Sequence, residues 1–205
     1  GSVAVGGLDH ELAATGTGID VLVVRSQGGG GGDGLEDAND STGGTGGAGG
    51  NVDVDFFAFG LTATASSQGS DGGRGIVAQS IGWYGGAGGD GNAIFGSPGS
   101  AGPGGDGGTV ELSLDAGTIV TDGTDDPGSG LAFANGVLAQ SIGGGGGDGG
   151  SYSGIFYGEG GTGGLGGNGG DVTVTLSDQT SSVTTSGFQA AGVLAQSIGG
   201  GGGTG

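Results

Sequence analysis

The chain has 205 residues, of which 65 are glycine, 3 are proline and 5% are aromatic, so a compact core of ordinary size is excluded. Its 21 acidic residues are balanced only by Arg25 and Arg74, which gives a formal charge of −19. Binding to nucleic acids or to anionic membranes needs basic side chains, and collagen needs a strict Gly-X-Y repeat rich in proline. The composition therefore excludes all three. No apolar run is long enough for a membrane helix, so we expect no membrane insertion here.

Four sequence units of similar pattern follow one another along the chain, at about 3–51, 52–109, 110–171 and 172–205. Each unit holds three short runs in which apolar and polar residues alternate, a pattern typical of β-strands. The third run is nearly the same in each unit and reads LVVRSQ, IVAQSI, VLAQSI and VLAQSI before glycine. In chain order the predicted strands are 3–5, 12–15, 22–27, 52–56, 61–65, 76–81, 110–114, 118–121, 137–142, 172–176, 182–185 and 193–198.

A repeat of this length predicts stacked modules that bury their apolar faces against their neighbours. We therefore predict an all-β fold, a right-handed parallel β-helix or solenoid with three short strands per rung. The Gly1-Ser2 start and the glycine end at Gly205 lead us to expect one repeat domain within a longer polypeptide. In the third strand we expect the small residues to face inward and the Leu/Ile residues to face outward.

Stacking in register places similar residues above one another, for example Val3, Val52, Val110 and Val172 in one column and Leu12, Ile119 and Val183 in another. In the third strand it predicts a structural ladder, because stacked amides can hydrogen-bond along the axis. A row of glutamines that binds a ligand is the alternative. The predicted ladder residues are Gln79, Gln140 and Gln196, with Arg25 in the first unit, then Ser26, Ser80, Ser141 and Ser197, and Ile81, Ile142 and Ile198.

Glycine-rich insertions follow the third strands at 28–51, 82–109, 143–171 and 199–205. Their side chains recur at every third position, as in TGGLGGNGGD, and three residues per turn is the period of the polyproline-II helix. We predict ordered polyglycine-II helices, with a flexible linker as the alternative. The aromatic residues in these insertions are candidate surface contacts: Trp83, Tyr84, Tyr152, Phe156 and Tyr157.

A family resemblance rests on three motifs: GVLAQSIGGGGG at Gly136 and Gly192, GGNGG within 166–170, and DVTVTL from Asp171. Together they resemble the glycine-rich repeats of large autotransporter passengers from Gram-negative bacteria. The resemblance implies a secreted, extracellular, surface-displayed β-helical passenger domain concerned with cell adhesion, biofilm or the cell envelope. Its partner would be an unknown surface receptor or a second copy of itself. The first unit departs from the motif at Arg25 and Gln27.

Catalysis is not expected from this sequence. The outward carboxylates Asp53, Asp55 and Glu111 could serve acid–base chemistry, yet the strong bases that a polysaccharide lyase would need are limited to two arginines. His10 is the only histidine, so a Ser-His-Asp arrangement would depend on it alone. We therefore predict a protein that is not an enzyme.

Calcium and ice are the two alternatives that the residues leave open. The segment 28–36 reads GGGGGDGLE and matches one calcium-binding nonapeptide, with Asp33 as the weak candidate ligand, but tandem copies are missing. We therefore expect no cofactor, with calcium as the alternative. Flat polyglycine bundles can also bind ice, although Thr45, Thr162, Thr173 and Thr175 are too scattered for a regular array. The prediction is a rigid stalk or adhesion module.

Overall fold

A computed structural model describes residues 1–6, 13–15, 19–35, 41–57, 62–66, 73–91, 97–115, 117–122, 134–154, 158–177 and 181–205. Within these ranges every regular element is a β-strand, and none is a helix able to span a membrane. Twelve strands are present among them. They are β1 Val3–Gly6, β2 Ala13–Thr15, β3 Leu22–Gln27, β4 Val52–Phe57, β5 Thr62–Ser66, β6 Ile76–Ile81, β7 Val110–Asp115, β8 Thr118–Asp122, β9 Val137–Ile142, β10 Val172–Leu176, β11 Ser182–Ser186 and β12 Val193–Ile198.

The strands form three four-stranded sheets in which every neighbouring pair is parallel. The first sheet has the order β1-β4-β7-β10, the second β2-β5-β8-β11 and the third β3-β6-β9-β12. Each set of three consecutive strands thus contributes one strand to each sheet. This arrangement confirms the predicted all-β class and is consistent with a parallel β-solenoid.

The pairing register places equivalent residues of successive units side by side, because parallel strands tolerate a shift of one residue poorly when one face is buried. Val3 pairs with Val52, Val52 with Val110 and Val110 with Val172, as the sequence predicts. In the second sheet Ile119 pairs with Val183. The predicted partner Leu12 lies outside the described residues.

The core lies between the three sheets and is made of their inward side chains. Val54, Leu112 and Ile119 are at most 1% exposed, and Val137 and Ala139 from the third sheet join the same cluster. These columns of branched aliphatic side chains replace the mixed aromatic core of a globular domain. Their burial is the main apolar contribution to stability.

The third sheet buries residues on both faces. Ile76, Ala78, Val137 and Ala139 face the core cluster, so the small set of the AQSI motif faces inward, as expected. Leu138 lies on the opposite face and is also buried, at 5% exposure. The sequence leads us to expect the glycine-rich insertions to cover that face, and this stays a prediction.

Replacing Leu112 tests the stacked core. Leu112→Asp places a carboxylate among the aliphatic columns, where no cation is available to pair with it, so we expect a loss of more than about 3 kcal/mol in the free energy of unfolding. Thermal and denaturant unfolding followed by circular dichroism measures the loss. Glu111→Gln is the matched control, because Glu111 is the exposed neighbour on the opposite face of β7. Equal stability of the two variants would contradict the assigned core.

Candidate functional site

The predicted glutamine ladder lies on the outward face of the third sheet, where parallel pairing aligns Arg25, Gln79, Gln140 and Gln196. Gln79 Nε2 donates to Gln140 Oε1 at 2.6 Å, and Gln140 Nε2 donates to Gln196 Oε1 at 2.5 Å. Arg25 donates from Nε and Nη2 to Gln79 Oε1 at 3.0 and 2.7 Å. The side chains thus form one continuous hydrogen-bonded chain across four strands.

The serine at the fifth position of each third strand lies on the inward face of the sheet, opposite the glutamines. Its hydroxyl bonds to the glycine-rich insertions. Ser80 Oγ donates to the Gly50 carbonyl at 2.8 Å and accepts from the Gly108 amide at 2.7 Å. It therefore connects the ends of two successive insertions. The same pair of bonds joins Ser26 to Gly1 and Gly50, and Ser141 to Gly108 and Gly170.

The isoleucines that end the third strands share one column, since Ile81 pairs with Ile142 and Ile142 with Ile198. Ile81 and Ile142 are half-buried, and Ile198 on the last strand is 41% exposed. Ser197 extends the serine column on the same strand, and a Cβ added to Gly169 would overlap its hydroxyl. These residues lie together where the sheet passes into the glycine-rich insertions.

The glycine-rich insertions form two rows of extended segments. The outbound segments continue directly from the third sheet and comprise 28–35, 82–91, 143–151 and 199–205. The return segments lead back toward the first sheet and comprise 41–51, 97–109 and 158–171. All of these residues lie outside the regular strands, apart from an isolated bridge at Gly91.

Hydrogen bonds within each row recur at every third residue. In the outbound row Gly31 N donates to Tyr84 O at 2.9 Å and Gly34 N donates to Ala87 O at 2.8 Å. The return row has the same spacing, with bonds from 43, 46 and 49 to 100, 103 and 106. The first residue of each triplet therefore bonds to the equivalent segment of the next unit.

The second residue of each triplet bonds between the two rows. One continuous zigzag of N–H to carbonyl bonds, 2.6 to 3.1 Å long, passes through all seven described segments. A second zigzag runs parallel to it and includes Trp83 in place of a glycine. The residues of the first zigzag are Gly32, Gly44, Gly86, Gly102, Gly147, Gly164 and Gly203.

The third residue of each triplet faces outward, and an aspartate there accepts the backbone N–H of the next unit. Asp90 Oδ1 accepts from the Ser151 amide at 2.7 Å, and Asp148 Oδ1 accepts from the Thr204 amide at 2.9 Å. The backbone bond to Ser151 lowers the pKa of Asp90, aided by the Ser151 hydroxyl. The bond to the Thr204 backbone lowers the pKa of Asp148 in the same way.

The aromatic candidates lie in different surroundings. Trp83 and Tyr84 are 37% and 62% exposed and contact each other edge to face, with centroids 5.9 Å apart. The Trp83 ring lies against Gly30, and the Tyr84 ring lies against Gly145. Tyr152 is half-buried and packs within its own turn against 154 and 158. The candidates Phe156 and Tyr157 lie outside the described residues.

No metal centre is formed by the part of the chain that the structure describes, where no group of three or more His, Cys, Asp or Glu could hold an ion. The carboxylate of the calcium candidate Asp33 accepts the Ala87 amide at 3.0 Å, so it serves as another outward acceptor. Asp53 and Glu111 pair across the first sheet. His10, the remaining catalytic candidate, lies outside the described residues.

Comparisons with known proteins assign no family. No family model matches the chain, and no curated protein matches it. One solved structure is similar over 72% of this chain and 94% of its own, with 18% sequence identity and a TM-score of 0.22. It is a springtail antifreeze protein from Granisotoma rainieri, a bundle of nine polyproline type II helices with crystal waters that match the ice lattice. At this TM-score the similarity carries no argument about fold or function.

A single methyl group at a zigzag position tests the close approach of the glycine segments. The Cβ of Gly147→Ala would overlap the Gly86 carbonyl, while the Cβ of the control Gly32→Ala would enter open space. We expect Gly147→Ala to lower the free energy of unfolding by at least about 2 kcal/mol, as overpacking does, and Gly32→Ala to change it little. Thermal unfolding and amide hydrogen exchange measure the difference. Equal effects of the two variants would refute the described packing.

The outward aspartates predict a loss of stability in acid. Because Asp90 and Asp148 have lowered pKa values in the folded chain, their contribution is complete above the ordinary carboxyl pKa of about 4 and disappears as the pH falls through the lowered values. Asp90→Asn/Asp148→Asn retains an acceptor oxygen but cannot titrate. The wild-type advantage over this variant should therefore shrink between pH 5 and pH 2.

Melting temperatures measured at each pH give this comparison, at constant ionic strength. Asp53→Asn/Asp55→Asn on the first sheet is the control for the removal of two negative charges from an acidic chain. A wild-type advantage that is independent of pH, or one that Asp53→Asn/Asp55→Asn removes equally, would contradict the assignment.

Proposed function

We propose that this chain is a rigid structural and adhesive segment of a secreted, surface-displayed passenger of the autotransporter type. The observation that supports this proposal is that strands and glycine segments bond to the next unit along one direction and in one register. A stack of this kind is quasi-one-dimensional, and each unit supports the next. Length and stiffness are the properties that such a stack supplies.

The finer architecture belongs to the same proposal. We interpret the three strands per unit as one rung of a right-handed solenoid, and the outbound and return segments as polyglycine-II helices. The three-residue recurrence of their hydrogen bonds supports that interpretation. Two rows of such helices would form a thin, stiff extension beside the solenoid.

The acidic surface suits a displayed rod. A net charge of −19 with few cations disfavours association with anionic polymers and with other copies of the same rod. The Gln and Ser ladders then serve to hold register instead of binding a ligand, because their described hydrogen bonds join protein groups to one another.

Adhesion would use the exposed aromatic pair. Trp83 and Tyr84 project from the outbound row, where the neighbouring units have glycine at the corresponding positions, so the rings stand above a flat surface. Aromatic rings combine a large apolar area with a polar group, and they are enriched in recognition sites. A neutral receptor suits them better than an anionic one.

Retention of beads coated with the chain on bacterial and host-cell surfaces tests the proposal. We expect saturable retention that falls at least about tenfold with Trp83→Ala/Tyr84→Ala. Leu165→Ala is the matched control, because Leu165 is 78% exposed and belongs to the return row of a different unit. Parallel runs with calcium and with chelator test the cation alternative at Asp33.

Each outcome separates the two halves of the proposal. Retention that is lost only in the aromatic variant makes the segment an adhesin. Retention that all variants share rejects the aromatic pair as the contact. An absence of retention leaves the stalk role alone, and loss with chelator supports a calcium site.

A further inference from the structure

The exposed aromatic pair Trp83 and Tyr84 extends over three successive units of the outbound row. The Trp83 ring lies against Gly30 of the preceding unit, where an added Cβ would come 3.0 Å from its Cδ1. The Tyr84 ring lies against Gly145 of the following unit, where an added Cβ would come 2.7 Å from its Cδ1. Because a unit lies on each side of the pair, its exposure is a property of the stack.

Each ring occupies the space that a side chain would need on a neighbouring glycine. Other outward positions of the row carry side chains, namely Asp33, Ala87, Asp90, Asp148, Ser151 and Thr204. A side chain at Gly30 or Gly145 would displace a ring, so the position of the pair depends on these two glycines. Rings that are already held in place lose little conformational freedom when a ligand binds.

Every charged side chain of the glycine-rich insertions is a carboxylate, because none of the four insertions contains Lys, Arg or His. The two arginines of the chain lie in or beside the third sheet. Arg25 donates to Gln79 there, and Arg74 Nε lies 4.0 Å from the carboxylate of Asp20. The electrostatic field around the aromatic pair is therefore negative.

Two carboxylates lie one triplet beyond the rings on the outward face of the same row. Asp33 follows Gly30 by three residues, and Asp148 follows Gly145 by three residues. Three residues of extended chain span no more than about 11 Å. Both aspartates are exposed, and each accepts a backbone N–H of the next unit through Oδ1. Each ring thus has a carboxylate one triplet away on the segment that it covers.

We infer that the aromatic pair and the carboxylates of Asp33 and Asp148 form a site for an arginine-bearing segment of a receptor protein. A guanidinium group stacks on an aromatic face and is attracted by the electron density of the ring. A second arginine, three positions along an extended peptide, lies within about 11 Å of the first and can donate to a carboxylate. This inference rests on the adhesive role proposed for the pair and names the class of partner.

Fluorescence titration of Trp83, the only tryptophan of the chain, tests the site directly. The ligand is an acetylated and amidated hexapeptide with two arginines three positions apart. Its control has citrulline, a neutral isostere, in both places. We expect saturable binding of the arginine peptide that weakens with added salt, and at least about tenfold weaker binding of the citrulline peptide. Equal affinity of the two peptides overturns the proposal.

Two variants separate the site from the general negative charge of the chain. Tyr84→Ala removes one ring, and Asp33→Asn/Asp148→Asn removes two charges but retains the acceptor oxygens. Each should weaken binding of the arginine peptide at least about fivefold. Asp53→Asn/Asp55→Asn removes two charges from the first sheet and should change the affinity less than about twofold, because distant exposed charges are screened. Equal binding by all of these variants would be non-specific attraction and overturns the proposal.

A methyl group at Gly145 tests whether that glycine keeps the Tyr84 ring in place. Gly145→Ala displaces the ring and leaves the charge unchanged. Gly201→Ala, at the equivalent position of the fourth unit, places its Cβ in open space and is the control. We expect weaker peptide binding with Gly145→Ala alone, with circular dichroism spectra of both variants equal to that of the wild-type chain. Equal affinity of the two variants would count against the site.

Competition on cells separates a failure of this inference from a failure of the proposed function. Bead retention that depends on the aromatic pair, but is unaffected by the arginine peptide and by Asp33→Asn/Asp148→Asn, leaves adhesion standing and overturns the cationic partner. Retention that a neutral glucan competes and the arginine peptide does not has the same meaning. Binding of the peptide without bead retention supports the site and rejects only adhesion to those cell surfaces.

Discussion

The backbone hydrogen bonds between equivalent segments of successive units are the constraint on which the rest of this structure depends. It operates in the strands, where Val52 stacks between Val3 and Val110, and in the outbound segments, where Gly82 N bonds to Ile142 O. Because each unit must repeat the backbone path of the one before, like residues stack on like. Apolar columns, amide and hydroxyl ladders and the triplet glycines all follow from that register.

The glycine-rich segments depend on the stacked strands for their order. Fixing the backbone costs roughly 1–2 kcal/mol per residue, glycine costs the most, and glycine segments bury no side chains to offset it. Their order depends on hydrogen bonds in sufficient number and in the correct register. The stacked parallel strands set that register, because each third strand continues into an outbound segment and the serine hydroxyls hold the return segments against the third sheet, as Ser80 holds Gly50 and Gly108.

The sequence predicts the strands and their stacking well, because the repeated AQSI motif shows which residues of successive units are equivalent and the alternating runs mark the strands. It places Gln79 beside Gln140 and Ser80 beside Ser141, but it does not reveal that serine bonds to insertion backbone, because that partner is distant in the chain. The triplet spacing shows which positions are repeatedly glycine. The sequence names Trp83 and Tyr84 among its aromatic candidates, but it does not distinguish this exposed pair from the half-buried Tyr152.

Some of the acidic residues of the chain are explained by the same geometry. In the described triplets of the inner segments the first two N–H groups bond to neighbouring segments, and the third residue faces outward. A carboxylate at that position can accept the N–H of the next unit, as Asp90 and Asp148 do, and a charged acceptor makes a stronger bond than a neutral one. Asp33 and Asp106 do the same, and Asn51 shows that a neutral amide oxygen can also serve. The triplet hydrogen bonds thus favour glycine and outward acceptor side chains, and the aspartates among these acceptors add to the negative charge.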